Sequence, residues 1–394
     1  MKMEKKILRA GFAGSGFAAK FHYEALKRVC DVAVEVAGVY SPTRGHAEEF
    51  ATKRGIAVFD DLDSLIEASD VIHVCTPPSS HEKIVIAALR KGKSVIVEKP
   101  FTGYFGDGSE TFDGDTFDRK VGLREALGSV RRMLDAEAQS SGRIMYAENW
   151  VYAPAIQKEK EIIERSRCQI LWITGEQSHS GSHSPSYGQW HLSGGGSLIG
   201  KGSHPLGAVL YLKQVEGIAR TGAPVRPASV SARVHALTRM PSFQDMGHIR
   251  TSYRDIEDFA AVHIVFEDGT VADVFANEIS LGGTNNKIEV RANNHRSICN
   301  MSHNDAMETF TPDGSYFDDV YVVEKTETKE GWSQIAPDEG WFLGYQHELN
   351  EFYRAAATGE EIGSGSRLAA DTMAVIYNAY VSAAEGGREI MIMP

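Results

Sequence analysis

The stretch Ile7–Val29, "ILRAGFAGSGFAAKFHYEALKRV", decides the fold. Its first seven residues read as a short buried strand that runs into a glycine turn, and a helix follows. Gly14, Gly16 and Ala19 satisfy G-x-G-x-x-A at the mouth of that helix. Each has its own physical task. Gly14 permits the tight turn, Gly16 lets the backbone approach a pyrophosphate, and Ala19 lets the helix lie close on the sheet. Ser15, Phe17 and Ala18 complete the loop, whose unpaired N–H groups and positive dipole end favour phosphate. A glycine motif alone is weak evidence, so its surroundings have to decide.

Those surroundings alternate. Strand-like runs over 32–41, 68–78 and 94–100 are separated by helix-like runs over 46–55 and 81–92. Strands and helices of this length in alternation predict a parallel, doubly wound Rossmann sheet. The second strand ends at Val39-Tyr40-Ser41, where an NAD enzyme often places an acid against the ribose diol. Here Ser41 stands, followed by Thr43 and Arg44. Arg44 reads as a partner for the 2′-phosphate of NADP, as a stacking group for adenine, or as an exposed helix-start charge. The expected cofactor is a nicotinamide dinucleotide, NAD with NADP as the alternative.

Bulk properties narrow the rest. With 394 residues the chain has room for two domains. A formal net charge of −12 gives no general attraction to nucleic acid or to an anionic membrane. Cys30, Cys75, Cys168 and Cys299 are widely separated, without CxxC or metal-ligand spacing. Scattered thiols suggest a reducing cytosol, and the N-terminus shows no leader-type apolar run. No segment approaches the roughly 18 apolar residues of a membrane span. A cytoplasmic protein is the expectation.

The run His73–Pro100, "HVCTPPSSHEKIVIAALRKGKSVIVEKP", is more specific than the glycine turn. Together with "GFAGSGFAAKFH" it resembles the glucose–fructose oxidoreductase, inositol dehydrogenase and rhizopine-catabolism family, Gfo/Idh/MocA. The resemblance places Thr76, Pro77 and His81 in the turn after the family's fourth strand and Glu98, Lys99 and Pro100 in the signature that ends its fifth. It implies that Lys99 reaches the reacting hydroxyl and that the peptide at Pro100 is cis beside the nicotinamide. A strand-end lysine, partly desolvated near a cationic ring, suits a proton acceptor. His81 and His22 are expected to position loops.

Gly194–Gly207, "GGGSLIGKGSHPLG", contains G-x-x-x-x-G-K at Gly195, Gly200 and Lys201, yet Gly202 replaces the Ser or Thr of a phosphate loop. In the family, "GGG" precedes an Asp and, four residues later, a His beside the nicotinamide. That alignment puts His204 on the histidine and Gly200 on the aspartate. Lys99 and His204 are therefore the expected catalytic residues. No carboxylate one helical turn before His204 is available to orient it, and Lys201 beside it favours the neutral imidazole. Lys201, or the space left by Gly200, is read either as holding an anionic sugar or as facing solvent or the cofactor's edge.

Two more stretches are expected to line a substrate pocket. Tyr146–Pro154 offers Asn149, Trp150 and Tyr152, an amide and aromatic faces suited to a sugar ring. Glu176–Leu192 offers His179, His183 and Trp190. Zinc at His179 and His183 is disfavoured because glycine, serines and proline prevent the helix that would aim them together. No metal is expected, nor calcium at Asp107, Asp113, Asp115 and Asp118, which lack a closing bidentate acid. Those acids lie in a glycine-rich insertion over about 101–122, read as a flexible flap or an inter-subunit loop.

Further on, half-buried strands are expected over 230–237, 258–281, 286–301 and 318–326, with a hairpin turn at Glu267–Thr270, and amphipathic helices over 344–387. These resemble the family's C-terminal α+β domain with its large open antiparallel sheet. The fold class is α/β, with a dinucleotide-binding domain at 1–150 and a substrate-binding and oligomerisation domain at 151–394. A sheet face of that size predicts a homodimer or homotetramer. The resemblance implies an NAD(P)-dependent oxidoreductase acting on a secondary hydroxyl of a sugar, inositol or glycoside. A redox-neutral glycosidase is the alternative, working through transient 3-keto oxidation, elimination, water addition and re-reduction; a non-catalytic dinucleotide sensor is disfavoured by Lys99 and His204.

Overall fold

The structure is a computed structural model that describes residues 7–182, 184, 187–301, 307–322, 325–326 and 328–393. The first domain runs β1 (Ile7–Ala13), α1 (Phe17–Leu26), β2 (Ala33–Tyr40), α2 (Arg44–Thr52), α3 (Leu62–Ala68) and β3 (Val71–Val74). It continues with α4 (His81–Arg90), β4 (Ser94–Glu98), α5 (Arg119–Ala138) and β5 (Ile144–Ala147). All five strands pair in parallel, in the order β2-β1-β3-β4-β5. Helices cover both faces of the sheet, so every residue of inner strand β3 and of edge strand β5 is buried, without alternation. A single parallel bridge, Val39 to Val58, is all that remains of a further strand outside β2. The "TP…H" turn therefore follows the third full strand here. The sheet order reverses between β1 and β3, so the crevice at the carboxyl ends of those strands is where a ligand is received.

A short 3₁₀ turn over Asn149–Tyr152 carries the chain onward. The second domain runs α6 (Pro154–Ser166), β6 (Ile170–Ser178), α7 (Trp190–Ser193), α8 (Ser197–Gly200) and α9 (Ser203–Thr221). Then come β7 (Pro227–His235), β8 (Phe259–Phe266), β9 (Val271–Asn277), β10 (Asn285–Ala292) and β11 (Arg296–Asn300). A small hairpin, β12 (Glu308–Thr311) with β13 (Gly331–Gln334), precedes α10 (Glu339–Phe342), α11 (Tyr345–Thr358), α12 (Ser366–Ala384) and β14 (Ile390–Met391). Seven strands form one sheet in the order β11-β10-β6-β9-β8-β7-β14. The sheet is mixed, because β6 and β9 pair in parallel. The expected hairpin is there, with Gly269 at φ +81 between β8 and β9.

One strand forms where none is expected, and one expected strand is not formed where it is described. Strand β6, "ILWITGEQS", follows α6 closely and lies inside the large sheet between β10 and β9. Residues 318–322 form no strand, and Val323 and Glu324 lie outside the described residues. The acidic insertion is anchored within this chain by its own acids and by the second domain. Asp107, Asp113 and Asp118 accept the backbone N–H groups of Ser109, Asp115 and Lys120, the last capping α5. Asp115 is held by both terminal nitrogens of Arg239, and Gly114 N–H donates to Asp255. Phe117 packs on Trp190, and Arg119 lies 4.3 Å from each of the two rings. The insertion thus ties the two domains together.

Candidate active site

The glycine turn is clamped by both neighbouring strands. Gly14 N–H donates to Tyr40 O at 2.8 Å, and φ is +104. A Cβ at Gly14 would stand 2.4 Å from Cys75 O, so the protein itself demands glycine there. Gly16 is different. Among the described residues no atom lies within 4 Å of a Cβ placed on it. Its open side fits the close approach of a dinucleotide's diphosphate at the start of α1. Ser15 flanks this side, and Phe17 and Ala18 line the large cavity with it. Ser41, Thr43 and Arg44 stand where expected at the end of β2, but Arg44 is exposed and already bonded to Glu48 and Asp60.

The ends of β3 and β4 form the floor. Thr76 and Pro77 line the cavity, and the Lys99–Pro100 peptide is cis. His81 is buried behind them, its ring nitrogens against Thr76 O at 2.9 Å and Pro100 O at 3.1 Å. Burial outweighs those carbonyls and lowers its pKa, so His81 latches one loop to the other. Glu98 accepts Lys99 N–H and faces His22 Nε2 at 3.0 Å. Burial opposes charge on His22, but Cys75 and Glu98 together hold its pKa well above the ordinary histidine value. Burial drives His73 well down, and the charge on His22 adds to that. The hydrogen bonds then have fixed directions: His22 donates to Glu98 and to His73 Nδ1, and His73 Nε2 donates to Tyr353.

Lys99 and His204, from different domains, meet in the same cavity of about 690 Å³. Lys99 Nζ donates to the carbonyl of Gly200 at 3.0 Å. A Cβ on Gly200 would strike the Tyr187 ring at 2.7 Å, so an aspartate does not fit there and the space is already filled. The carboxylate that orients His204 comes from elsewhere: Glu148, just past β5, places Oε1 2.6 Å from His204 Nδ1. Trp150 stacks on the imidazole, 5.6 Å between centroids and 13° between planes. Burial, then Lys99 and Lys201, push His204 well below its usual range, and burial pushes the Glu148 carboxyl well up. The lowered pKa favours the neutral imidazole, whose proton can lie on Nδ1 facing Glu148. With that proton on Nδ1, Nε2 has a lone pair for a substrate hydroxyl.

Of the other expected pocket residues, Trp150, Asn149, His179 and Lys201 line the cavity. Asn149 spends its amide on Leu343 O at 2.8 Å. His179 Nδ1 accepts Gly181 N–H at 2.9 Å, which requires that nitrogen unprotonated, so its 3.5 Å approach to Glu278 is no ion pair. Two expectations fail because the side chains point into the core. Tyr152 is buried with its hydroxyl between Glu351 and Ser364 N–H. Trp190 is buried against Phe117 and Tyr380, donating to Tyr104 O. His183 lies outside the described residues. Sequence reading missed Glu148, Gln177, Glu278, Thr284 and Asn286. Only Glu148 carried a signal, an acid inside the apolar run "IMYAENWVY".

Residues 8–113 match the profile of an oxidoreductase family with an NAD-binding Rossmann fold, Gfo/Idh/MocA. The chain spans about a third of the length of the first relatives it matches. Among them is glucose-6-phosphate 3-dehydrogenase of Bacillus subtilis, 35% identical over 130 residues, 33% of this chain and 35% of that enzyme. Levoglucosan dehydrogenase of Pseudarthrobacter phenanthrenivorans is 26% identical over 415 residues, 96% of both chains. The fold is shared with GenD2 from gentamicin A biosynthesis, solved with NAD: TM-score 0.78, 21% identity, 99% of this chain and 97% of that one. With the glycine turn, the Lys99 loop and the mixed second sheet in place, the first domain matches the NAD-binding Rossmann fold of the Gfo/Idh/MocA oxidoreductase family, and the chain as a whole shares the fold of the solved sugar and inositol dehydrogenases.

Proposed function

We propose that the protein is an NAD-dependent dehydrogenase that oxidises a secondary hydroxyl of a sugar, inositol or glycoside. The observation that carries this reading is the meeting of Lys99 with a neutral, Glu148-oriented His204 in a cavity that also opens onto Gly16. Bound in that cradle, a nicotinamide dinucleotide supplies a hydride acceptor. The chain's own residues manage the proton. A carbinol that loses hydride must also lose its hydroxyl proton, and a positioned base lowers that barrier. Lys99 hydrogen-bonds the reacting oxygen and relays the proton, which comes to rest on His204 Nε2. Glu148 holds the ring and stabilises the imidazolium that forms. NAD is favoured over NADP because the two carboxylates on Arg44 oppose a 2′-phosphate at the end of β2.

The same reading includes a partner of like kind. The outer face of the large sheet leaves Trp172, Phe275 and Ile298 exposed, and a second copy of this chain is the proposed cover.

The test is an assay on sugars, inositols and aryl glycosides with NAD or NADP, following reduced nicotinamide and released aglycone together. Net reduction without aglycone release is expected. Lys99→Ala should lower turnover by about 10²-fold or more while NAD still binds. Loss of NAD binding with turnover intact per bound cofactor would remove Lys99 from the chemistry.

A further inference from the structure

The inner wall of the cavity, on the side of the large sheet, is polar and short of partners. Gln177, at the end of β6, donates to Asn286 Oδ1 at 3.1 Å across the sheet. The other amide atom, Gln177 Oε1, and the hydroxyl of Thr284 are buried, line the cavity and bond to no group of the described chain. Buried polar atoms are seldom left this way unless a ligand or water completes them. Both are suited to meeting hydroxyl groups.

Opposite stands Lys201, which lines the cavity with its ammonium 3.3 Å from Ser182 Oγ. Behind it, outside the cavity lining, Glu278 is fully buried with Oε1 3.6 Å from Lys201 Nζ. Tyr253 donates to the other oxygen of Glu278 at 3.3 Å. The carboxylate therefore sits on the protein side of the ammonium and cancels most of its field in the cavity. Lys201 remains a hydrogen-bond donor but holds an anion poorly. Two other cations reach the lining. Lys99 is at the reacting end, on Gly200 O, and Lys325 stands at the mouth, where the cavity meets a surface hollow bordered by His248 and Arg250.

We propose that Glu278 sets the charge selectivity of the site: by balancing Lys201 it makes the inner pocket specific for an uncharged polyhydroxylated ring, whose hydroxyls meet Gln177 Oε1, Thr284 Oγ1 and Lys201 Nζ. This rests on the dehydrogenase reading for which ring carbon reacts, but the binding claim is separable from it.

The experiment titrates NAD-loaded protein by calorimetry with matched pairs, glucose with glucuronate and galactose with galacturonate, and records reduced nicotinamide in parallel. Wild type should bind the neutral member about tenfold tighter than the acid. Glu278→Gln, which uncovers the ammonium, should move that ratio toward the acid by about tenfold. The double variant Lys201→Met/Glu278→Gln removes both charges and should weaken both members alike; it carries the test if Glu278→Gln alone does not fold. Preference of wild type for the acid, failure of every neutral ring to bind, an equal effect of Glu278→Gln on both members, or a selective loss of the acid in the double variant would each overturn the proposal. Selective binding of neutral rings without nicotinamide reduction would leave it standing and remove the dehydrogenase reading instead.

Discussion

Position 200 shows how far a single residue can be read. The family resemblance expects an aspartate there, and glycine leaves two tasks unassigned. The structure divides them. The Gly200 carbonyl takes the lysine's hydrogen bond, and Glu148 takes the histidine's. The replacement carboxylate is closer to His204 in space than any residue near it in sequence suggests. Its removal gives a direct test. Glu148→Gln should lower kcat by about 10²-fold with NAD affinity unchanged, since a neutral amide cannot stabilise the imidazolium. In wild type, the acid limb of the kcat/KM profile should lie below pH 6.5, the ordinary histidine value, because burial and two lysines lower His204. Stopped-flow kinetics over pH 5–9 with equilibrium NAD titrations reads both. A variant with normal kcat would make Glu148 a packing residue only.

At the scale of elements, the strand–turn–helix at the start of the chain was legible because its determinants are local. The apolar run, the turn glycine and the small residue on the helix lie within one element pair. The two motif glycines nevertheless differ, which the pattern alone conceals. Gly14→Ala meets a backbone carbonyl at positive φ and should cost about 2 kcal/mol of stability or more. Gly16→Ala meets nothing among the described residues and should leave the melting temperature unchanged while raising the Kd for NAD about tenfold. Thermal melts and NAD titration of the two variants separate the cases; a destabilised Gly16→Ala would mean that the protein, not the dinucleotide, requires that glycine. The expected strand at 318–326 failed for the opposite reason. A short apolar run is only a strand where a partner edge lies beside it, and pairing is not local.

For the whole molecule, the large sheet is built from segments far apart in sequence, with α9 under one face and apolar side chains exposed on the other among the described residues. Pro205 and Val209 of α9 close on Gly175 of β6 from inside. On the outside, polar pairs such as His263 with Asp273 surround Trp172, Phe275 and Ile298. Phe275→Lys should therefore shift the protein to a smaller assembly in sedimentation while leaving NAD binding intact. Wild type sedimenting as a monomer would remove the proposed second copy. Among the described residues no helix is long and apolar enough to cross a membrane.

What the sequence determined by itself is the class of fold and the cofactor cradle, because each is encoded in a contiguous motif whose geometry follows from a few neighbouring dihedrals; the family resemblance pointed to Lys99 and His204. The tertiary structure alone decided which groups surround that pair. Glu148, Gln177, Glu278, Thr284 and Asn286 become neighbours only when strands of two domains converge, while Tyr152 and Trp190, similar in type to true pocket residues, turn inward to fill the core. Side-chain direction and charge balance are settled by packing and by the cost of burying an unpaired polar group. Those are properties of the assembled interior, and no spacing along the chain records them.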